Sequence, residues 1–187
     1  LKVLLIDFYD SFTYNIFHYL ESLGAEVTVW EDRAVEIDQV AQFDCIVFSP
    51  GPGLPKDTRS LFPVLKKYEK SKKILGVCLG MQGIAEYYGA KLYNQKAVKH
   101  GVSEFMSCVN NSKLFLNLPE KMEVGLYHSW AIELKEGLEI ISTGISENMV
   151  VMAIEHVKLP VYGVQFHPES ILTPCGKDML RNFLFSC

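Results

Sequence analysis

One cysteine bracketed by glycines constrains this chain most. In Leu75-Gly76-Val77-Cys78-Leu79-Gly80-Met81-Gln82, Cys78 sits between the apolar run Ile74 to Val77 and a helix-like segment, Gly80 to Tyr88. Glycines at i−2 and i+2 are the pattern of a nucleophile elbow, a sharp strand-to-helix turn in which small neighbours let the backbone crowd together. Such a turn exposes the side chain at its apex. It also sets a sulfur over the first free N–H groups of the helix, which favour thiolate and hold an oxygen anion. The alternative is a buried cysteine that ends a core strand, as most cysteines do. The octapeptide alone leaves both readings open.

The residues before the elbow repeat a strand–helix grammar. Lys2 to Asp7 is a short apolar run ending in a carboxylate, the look of a strand buried on both faces. Asp10, Ser11 and Thr13 offer N-cap side chains, and Ile16, Phe17, Tyr19, Leu20 and Leu23 follow at helical spacing up to the stop at Gly24. Glu26 to Trp30 alternates as a second strand, and Phe43 to Ser49 is a third run, ending in Pro50-Gly51-Pro52-Gly53. That loop is a stiff turn whose glycines present bare backbone N–H groups beside the loop of Cys78, or else a plain tight turn. Arg59 to Lys73 reads as a helix with Lys66, Lys67, Lys70, Lys72 and Lys73 on a solvated face.

After Gly89 the grammar changes to short β-rich pieces. Gly101 to Val109, Glu123 to Leu134, Leu138 to Thr143, Met149 to His156 and Val161 to Phe166 read as antiparallel strands, Leu114 to Leu118 as a helical turn, and Gly176 to Phe185 as a closing helix. The expected fold is therefore α/β: a doubly wound, mostly parallel central sheet of flavodoxin-like type flanked by helices, with a smaller antiparallel sheet from the C-terminal half packed on it. Residues 1–187 form one domain on this reading, long enough to bury a core without disulfides or a structural metal.

Composition narrows the function classes. A content of 49% apolar and 21% charged residues is that of a globular chain. The formal charge of −4 argues against a nucleic-acid partner, which usually calls for a basic surplus. Five cysteines with no C-x-x-C pair suit a reducing compartment, and no leader or membrane-length apolar run is seen, so a cytoplasmic protein with no membrane partner is expected.

A cysteine nucleophile needs a base, and the base needs a group that fixes its tautomer. His167-Pro168-Glu169 meets both needs if the backbone is extended, because residues i and i+2 then point the same way. Of the other histidines, His18, His100, His128 and His156, His18 sits in a helix pattern and His156 near a turn, so neither has an acid two residues away in a strand, and of the five His167 is the best base. A Cys/His/Glu set could also bind metal, but no H-x-x-x-H or C-x-x-C spacing supports this, and no metal or cofactor is expected. Gln82 lies one helical turn beyond Cys78, where its amide can bond a polar substrate. Tyr127-His128-Ser129-Trp130 fits either a binding loop or a strand edge.

Together these pieces resemble the class I, triad-type glutamine amidotransferases. Ser49-Pro50-Gly51-Pro52-Gly53, Gly76-Val77-Cys78-Leu79-Gly80-Met81-Gln82 and Phe166-His167-Pro168-Glu169-Ser170 occur in that family's order, and the likeness covers essentially the whole chain. Asp10-Ser11-Phe12-Thr13-Tyr14-Asn15, Tyr127-His128-Ser129 and Ser170-Ile171-Leu172-Thr173 look like the branch serving chorismate-using synthases, namely component II of anthranilate synthase and the glutaminase of aminodeoxychorismate synthase. The resemblance implies Cys78 as nucleophile, His167 as general base and acid, and Glu169 as its orienting partner. It places the oxyanion hole at the N–H groups of Leu79 and the Gly51-Pro52-Gly53 loop, and adds Gln82, Ser129 and Trp130 to a glutamine pocket. It further implies L-glutamine as substrate and a chorismate-using synthase subunit, component I, as recipient of ammonia; the Tyr127 to Trp130 segment leans toward anthranilate. Met81 stands where many members carry histidine, and Phe8 where the branch usually has asparagine. Two rivals are a partner-independent γ-glutamyl hydrolase on a similar sheet and a non-catalytic module whose glycine loops hold an anion.

Overall fold

A computed structural model of the chain describes residues 1–95 and 98–187. Its first half runs β1 (Lys2–Asp7), α1 (Thr13–Ser22), β2 (Glu26–Glu31), β3 (Cys45–Phe48), α2 (Leu61–Tyr68), β4 (Lys73–Val77) and α3 (Leu79–Tyr87). Its second half runs β5 (Lys91–Asn94), β6 (Val102–Cys108), β7 (Lys121–Leu126), β8 (Trp130–Glu133), β9 (Ile140–Ser146), β10 (Val151–His156), β11 (Val161–Val164) and α4 (Gly176–Phe185).

The apolar runs lie between two cores. Val3 and Leu5 of β1 face one core with Ile16 and Leu20 of α1 and Leu180 and Phe183 of α4. Leu4 and Ile6 face the other with Leu61 and Leu65 of α2 and Ile84 and Ala85 of α3. Strands covered on both faces have no solvated side to alternate against, so they read as continuous apolar runs. The expected doubly wound sheet with flanking helices is the one observed. A small separate antiparallel sheet pairs β5 with β8.

The strand order of the large sheet is β2-β1-β3-β4-β11-β10-β9-β6-β7. From β2 to β11 neighbours run parallel; from β11 to β7 they run antiparallel. Several expectations are corrected here. The C-terminal strands β6, β7, β9 and β10 prolong the central sheet rather than packing on it as a layer. The run Val161 to Phe166 gives β11, antiparallel to β10 but parallel to β4, with Val164 opposite Val77. Glu123 to Leu134 is two strands in different sheets, parted at Tyr127 to Ser129. Hydropathy could not separate them, because both strands are apolar and only the polar break between them marks the change of sheet.

Two local readings also change. The turn into α1 is held by Asp7, whose Oδ1 accepts from the N–H groups of Tyr9 and Asp10 and from the Thr13 hydroxyl, while Asp10 accepts from Phe12 N. None of Asp10, Ser11 and Thr13 is the cap: the residue at that position is Phe12, without a side-chain cap bond. Helix α2 stops at Tyr68, and Lys72 and Lys73 are not a solvated face. Lys72 donates to the carbonyls of Ala41 and Phe43, and Lys73 to those of Phe183 and Leu184 at the end of α4. A lysine there satisfies orphan carbonyls and complements the negative end of the helix.

The elbow glycines are fixed by contact. A Cβ on Gly76 would lie 2.4 Å from the carbonyl carbon of Gly80, and one on Gly80 would lie 2.6 Å from the Phe48 oxygen. Overpacking of this kind destabilises by roughly 2–3 kcal/mol, so G76A should lose about that in urea denaturation. G24A is the comparison: Gly24 has open space but φ +91°, and the strained backbone alone should cost about 1 kcal/mol. Equal losses in the two variants would show that close approach is not what fixes Gly76.

Candidate active site

Strands β4 and β11 end side by side, and their C-terminal extensions bring the candidate residues together. Cys78 N donates to the Val164 carbonyl at 2.8 Å, so Cys78 and the residues after Val164 leave the sheet as neighbours. Cys78 has φ 51° and ψ −102°, a conformation rare for a residue with a side chain and stored where function or packing demands it. It is the residue before α3, and the first N–H groups of that helix, Leu79 among them, have no carbonyl of their own helix to bond. The Gly51 loop leaves the adjacent β3 and packs on this turn. A Cβ on Gly51 would lie 2.7 Å from Leu79 Cδ2 and from Phe8.

His167 is 1% exposed and Glu169 4%. His167 Nδ1 donates to Glu169 Oε1 at 2.6 Å. The segment is not extended, as the spacing argument assumed: Ser170 N bonds the His167 carbonyl at 3.1 Å, making a tight turn with Pro168 at its second position. Proline is favoured there, and it is the turn that brings the carboxylate back to the ring. His167 is pinned to β7 through its own N–H to the Gly125 carbonyl, and through Thr173, whose hydroxyl donates to the His167 carbonyl while accepting from Gly125 N.

With Nδ1 committed to Glu169, the free ring nitrogen is Nε2, buried and without a hydrogen-bond partner among the described residues. Burial opposes charge on this ring, but contacts with Cys78 and with Glu169 overcome it and push His167 up to about 10. Cys78 is thus one of the neighbours that favour the protonated ring. Tyr127 and Phe12 stand edge-on to the ring, with centroids 4.8 and 5.5 Å away. His128, by contrast, donates Nδ1 to the Trp130 carbonyl and is held below the usual histidine range by burial. His156 Nδ1 accepts two backbone N–H groups in a turn.

Gln82 does lie beside this cluster, but its amide nitrogen is already used. Nε2 donates to the Trp130 carbonyl and to Gln165 Oε1, each at 3.1 Å, so only Oε1 remains to offer a ligand. Ser129, half-buried, gives its carbonyl to Gln95 N, and Trp130 opens β8. The two departures from the family pattern are interior: Met81 is fully buried, packed where a Cβ on Gly163 would go, and Phe8 stacks on Phe48 with centroids 6.0 Å apart. Sequence reasoning missed Gln165, which donates to Cys78 Sγ at 3.5 Å, along with the flanking Phe12 and Tyr127 and the anchoring role of Thr173. The spacing of Gln165 two residues before His167 was the available signal. No cluster of three or more His, Cys, Asp or Glu suited to a metal ion occurs among the described residues.

Residues 4–187 match the family model for glutamine amidotransferase class-I. Anthranilate synthase component 2 of Thermus thermophilus is 38% identical over 190 residues, covering 98% of this chain and 92% of that protein. Aminodeoxychorismate/anthranilate synthase component 2 of Bacillus subtilis is 36% identical over 185 residues, covering 97% and 95%. A crystal structure of a glutamine amidotransferase from Thermotoga maritima has a TM-score of 0.77 at 17% identity, over 98% of this chain and 96% of that one, a likeness that bears on the fold alone. A family match over almost the full length, with relatives this similar end to end, makes the chain a member of the class-I glutamine amidotransferases.

Proposed function

We propose that the chain is the glutaminase subunit of an anthranilate synthase, cleaving glutamine through a thioester on Cys78 and supplying ammonia to a chorismate-using subunit. The observation that supports this most is the buried succession of Cys78, His167 and Glu169 at two adjoining strand ends. In this mechanism the Cys78 thiol proton already resides on His167 Nε2, the charged ring its neighbours favour, and the Sγ thiolate attacks the side-chain amide carbon of glutamine. Backbone N–H groups of Leu79 and of the Gly51-Pro52-Gly53 loop, where Pro52 itself has none to give, hold the oxyanion. His167 returns the proton to the amide nitrogen, which leaves as ammonia, and the glutamyl thioester remains. Water then gives a proton to His167 and attacks the thioester; glutamate departs and the thiol is restored. Gln82, Ser129 and Trp130 form the glutamine pocket, and no cofactor enters any step.

The relatives named anthranilate synthase component 2 support a chorismate-using partner for the glutaminase. A second reading, the glutaminase of aminodeoxychorismate synthase or of both synthases, is favoured by the Bacillus subtilis relative, whose name joins the two activities. All five cysteines are free, which suits a reducing, cytoplasmic setting.

Reconstitution with a candidate synthase subunit tests the assignment. Chorismate and glutamine should yield anthranilate only when both chains are present. C78S should lower glutamine-dependent synthesis on the order of 10³-fold or more while leaving ammonia-dependent synthesis intact. Formation of anthranilate by this chain alone would remove the need for a partner, and formation of 4-amino-4-deoxychorismate instead would move it to the second reading.

The ring of His167 supplies a further check. E169Q should lower kcat about 10²- to 10⁴-fold, because the imidazole loses the group that fixes its tautomer. In heteronuclear NMR, C78A and E169Q should each titrate His167 at lower pH than the parent, since both partners raise it. The folded value lies above the ordinary 6.5, so the stabilisation from His167 is complete below that pH and is lost as pH rises through about 10. Urea denaturation across that window should show a shallower fall for C78A than for the parent; parallel curves would mean that the sulfur does not favour the charged ring.

A further inference from the structure

Gln165 belongs to none of the assigned roles, yet it touches the sulfur. It is fully buried, follows β11 directly, and has its backbone N–H tied to the Met152 carbonyl at 2.8 Å. A buried primary amide is costly unless its ends are paired. Both are: Oε1 accepts from Gln82 Nε2 at 3.1 Å, and Nε2 donates to Cys78 Sγ at 3.5 Å.

The direction of this chain is forced from its far end. The Trp130 main-chain carbonyl can only accept, and it takes His128 Nδ1 at 2.8 Å as well as Gln82 Nε2 at 3.1 Å. Gln82 must therefore turn its nitrogen toward Trp130 and, with it, toward Gln165. Gln165 must answer with its oxygen, which leaves its nitrogen for the sulfur. A fixed backbone carbonyl thus sets which end of a glutamine amide meets Cys78, two side chains away. The register of β11 against β4 puts Gln165 beside Cys78, as it puts Val164 beside Val77.

We propose that Gln165 is an auxiliary hydrogen-bond donor to the reacting sulfur of Cys78 and, by the same amide, the positioning residue for Gln82; this rests on Cys78 being the nucleophile. An N–H aimed at sulfur favours the anion that must form before attack and holds the sulfur in place. The acceptor end keeps Gln82 presenting its oxygen to the substrate. The two halves of the amide therefore act on different kinetic quantities, the donor on the sulfur and the acceptor on substrate binding.

Two substitutions separate the halves. Q165M matches the shape and removes donor and acceptor; Q165E keeps an acceptor for Gln82 and removes the donor. Alkylation of Cys78 by iodoacetamide at neutral pH, followed by peptide mass spectrometry, reads the sulfur without reference to any substrate. Glutamine hydrolysis by the complex with the synthase subunit gives kcat and KM, and thermal melting reports folding. Expected are an alkylation rate and kcat about 10- to 100-fold lower in both variants, the range for losing a hydrogen bond to a charged group. KM should rise severalfold in Q165M and stay near the parent value in Q165E. Alkylation of Q165M within twofold of the parent, or a KM rise in Q165E equal to that in Q165M, would overturn the proposal. Should Q165M fail to fold, Q165E decides by the same two measurements. A parent complex that alkylates at Cys78 but does not hydrolyse glutamine would refute the glutaminase reading and leave the sulfur donor standing.

Discussion

The close approach of α3 to the strands that precede it is the constraint on which the site depends. Gly76 and Gly80 lie so near one another, and Gly80 so near the Phe48 carbonyl, that neither position has room for a methyl group. Pressed this tightly, the chain turns from strand to helix at a single residue, and that residue takes φ 51°. A more relaxed turn would insert extra residues between β4 and α3 and would move the open N–H end of the helix away from the sulfur. Strain at Cys78 is thus the consequence of placing a side chain, a helix terminus and the Gly51 loop within one small volume.

The second constraint is the pairing of β4 with β11. These strands are far apart in sequence, yet they are parallel neighbours, and Val77 faces Val164 across the pair. Whatever follows Val77 must emerge beside whatever follows Val164, which is why Cys78 meets the Gln165 to Glu169 segment. The antiparallel half of the sheet then fixes His167 from behind. Gly125 of β7 gives its carbonyl to His167 N and its own N–H to the Thr173 hydroxyl, so the His167 turn is locked to β7 by main-chain contacts. One half of the sheet carries the sulfur and the other restrains the imidazole, with the ligand side at the strand ends where such sheets usually place it.

The legibility of these features in sequence followed the range of the interaction. The elbow was readable because its cause is local: two glycines and a cysteine at fixed spacing, between an apolar run and a helical one. The fold class was readable from buried strands alternating with helices up to Gly89. Beyond that, neighbours in the sheet are set by long-range pairing, and nothing in Val161 to Val164 distinguishes a strand parallel to β4 from an antiparallel one. Spacing predicts the contact of His167 with Glu169 from strand alternation, whereas a hydrogen-bonded turn is what closes the gap. Lys73 reads as a surface charge in sequence because its partners, the last carbonyls of α4, lie more than a hundred residues away. Gln165 falls inside the expected strand Val161 to Phe166, where a lone polar side chain gives no sign of the buried partners it meets.

The burial of His167 and Glu169 is better explained by chemistry than by stability. Taking an ionisable pair out of water carries a desolvation cost that its mutual attraction need not repay, and apolar residues of the same volume often serve a core as well. Here burial works against the charged ring, and both the carboxylate and the sulfur oppose that effect. What the arrangement gains is restriction. Phe12 and Tyr127 flank the ring, and Tyr127 is itself held by Ser170, whose hydroxyl lies 3.1 Å from the Tyr127 oxygen. A ring flanked by two aromatic side chains and bonded at Nδ1 is held in one orientation, with Nε2 its one nitrogen not committed to a partner among the described residues. In a low-dielectric setting each of those polar contacts acts more strongly than it would in water. The same buried shell that weakens the case for His167 and Glu169 as stabilising residues is what fixes their mutual orientation.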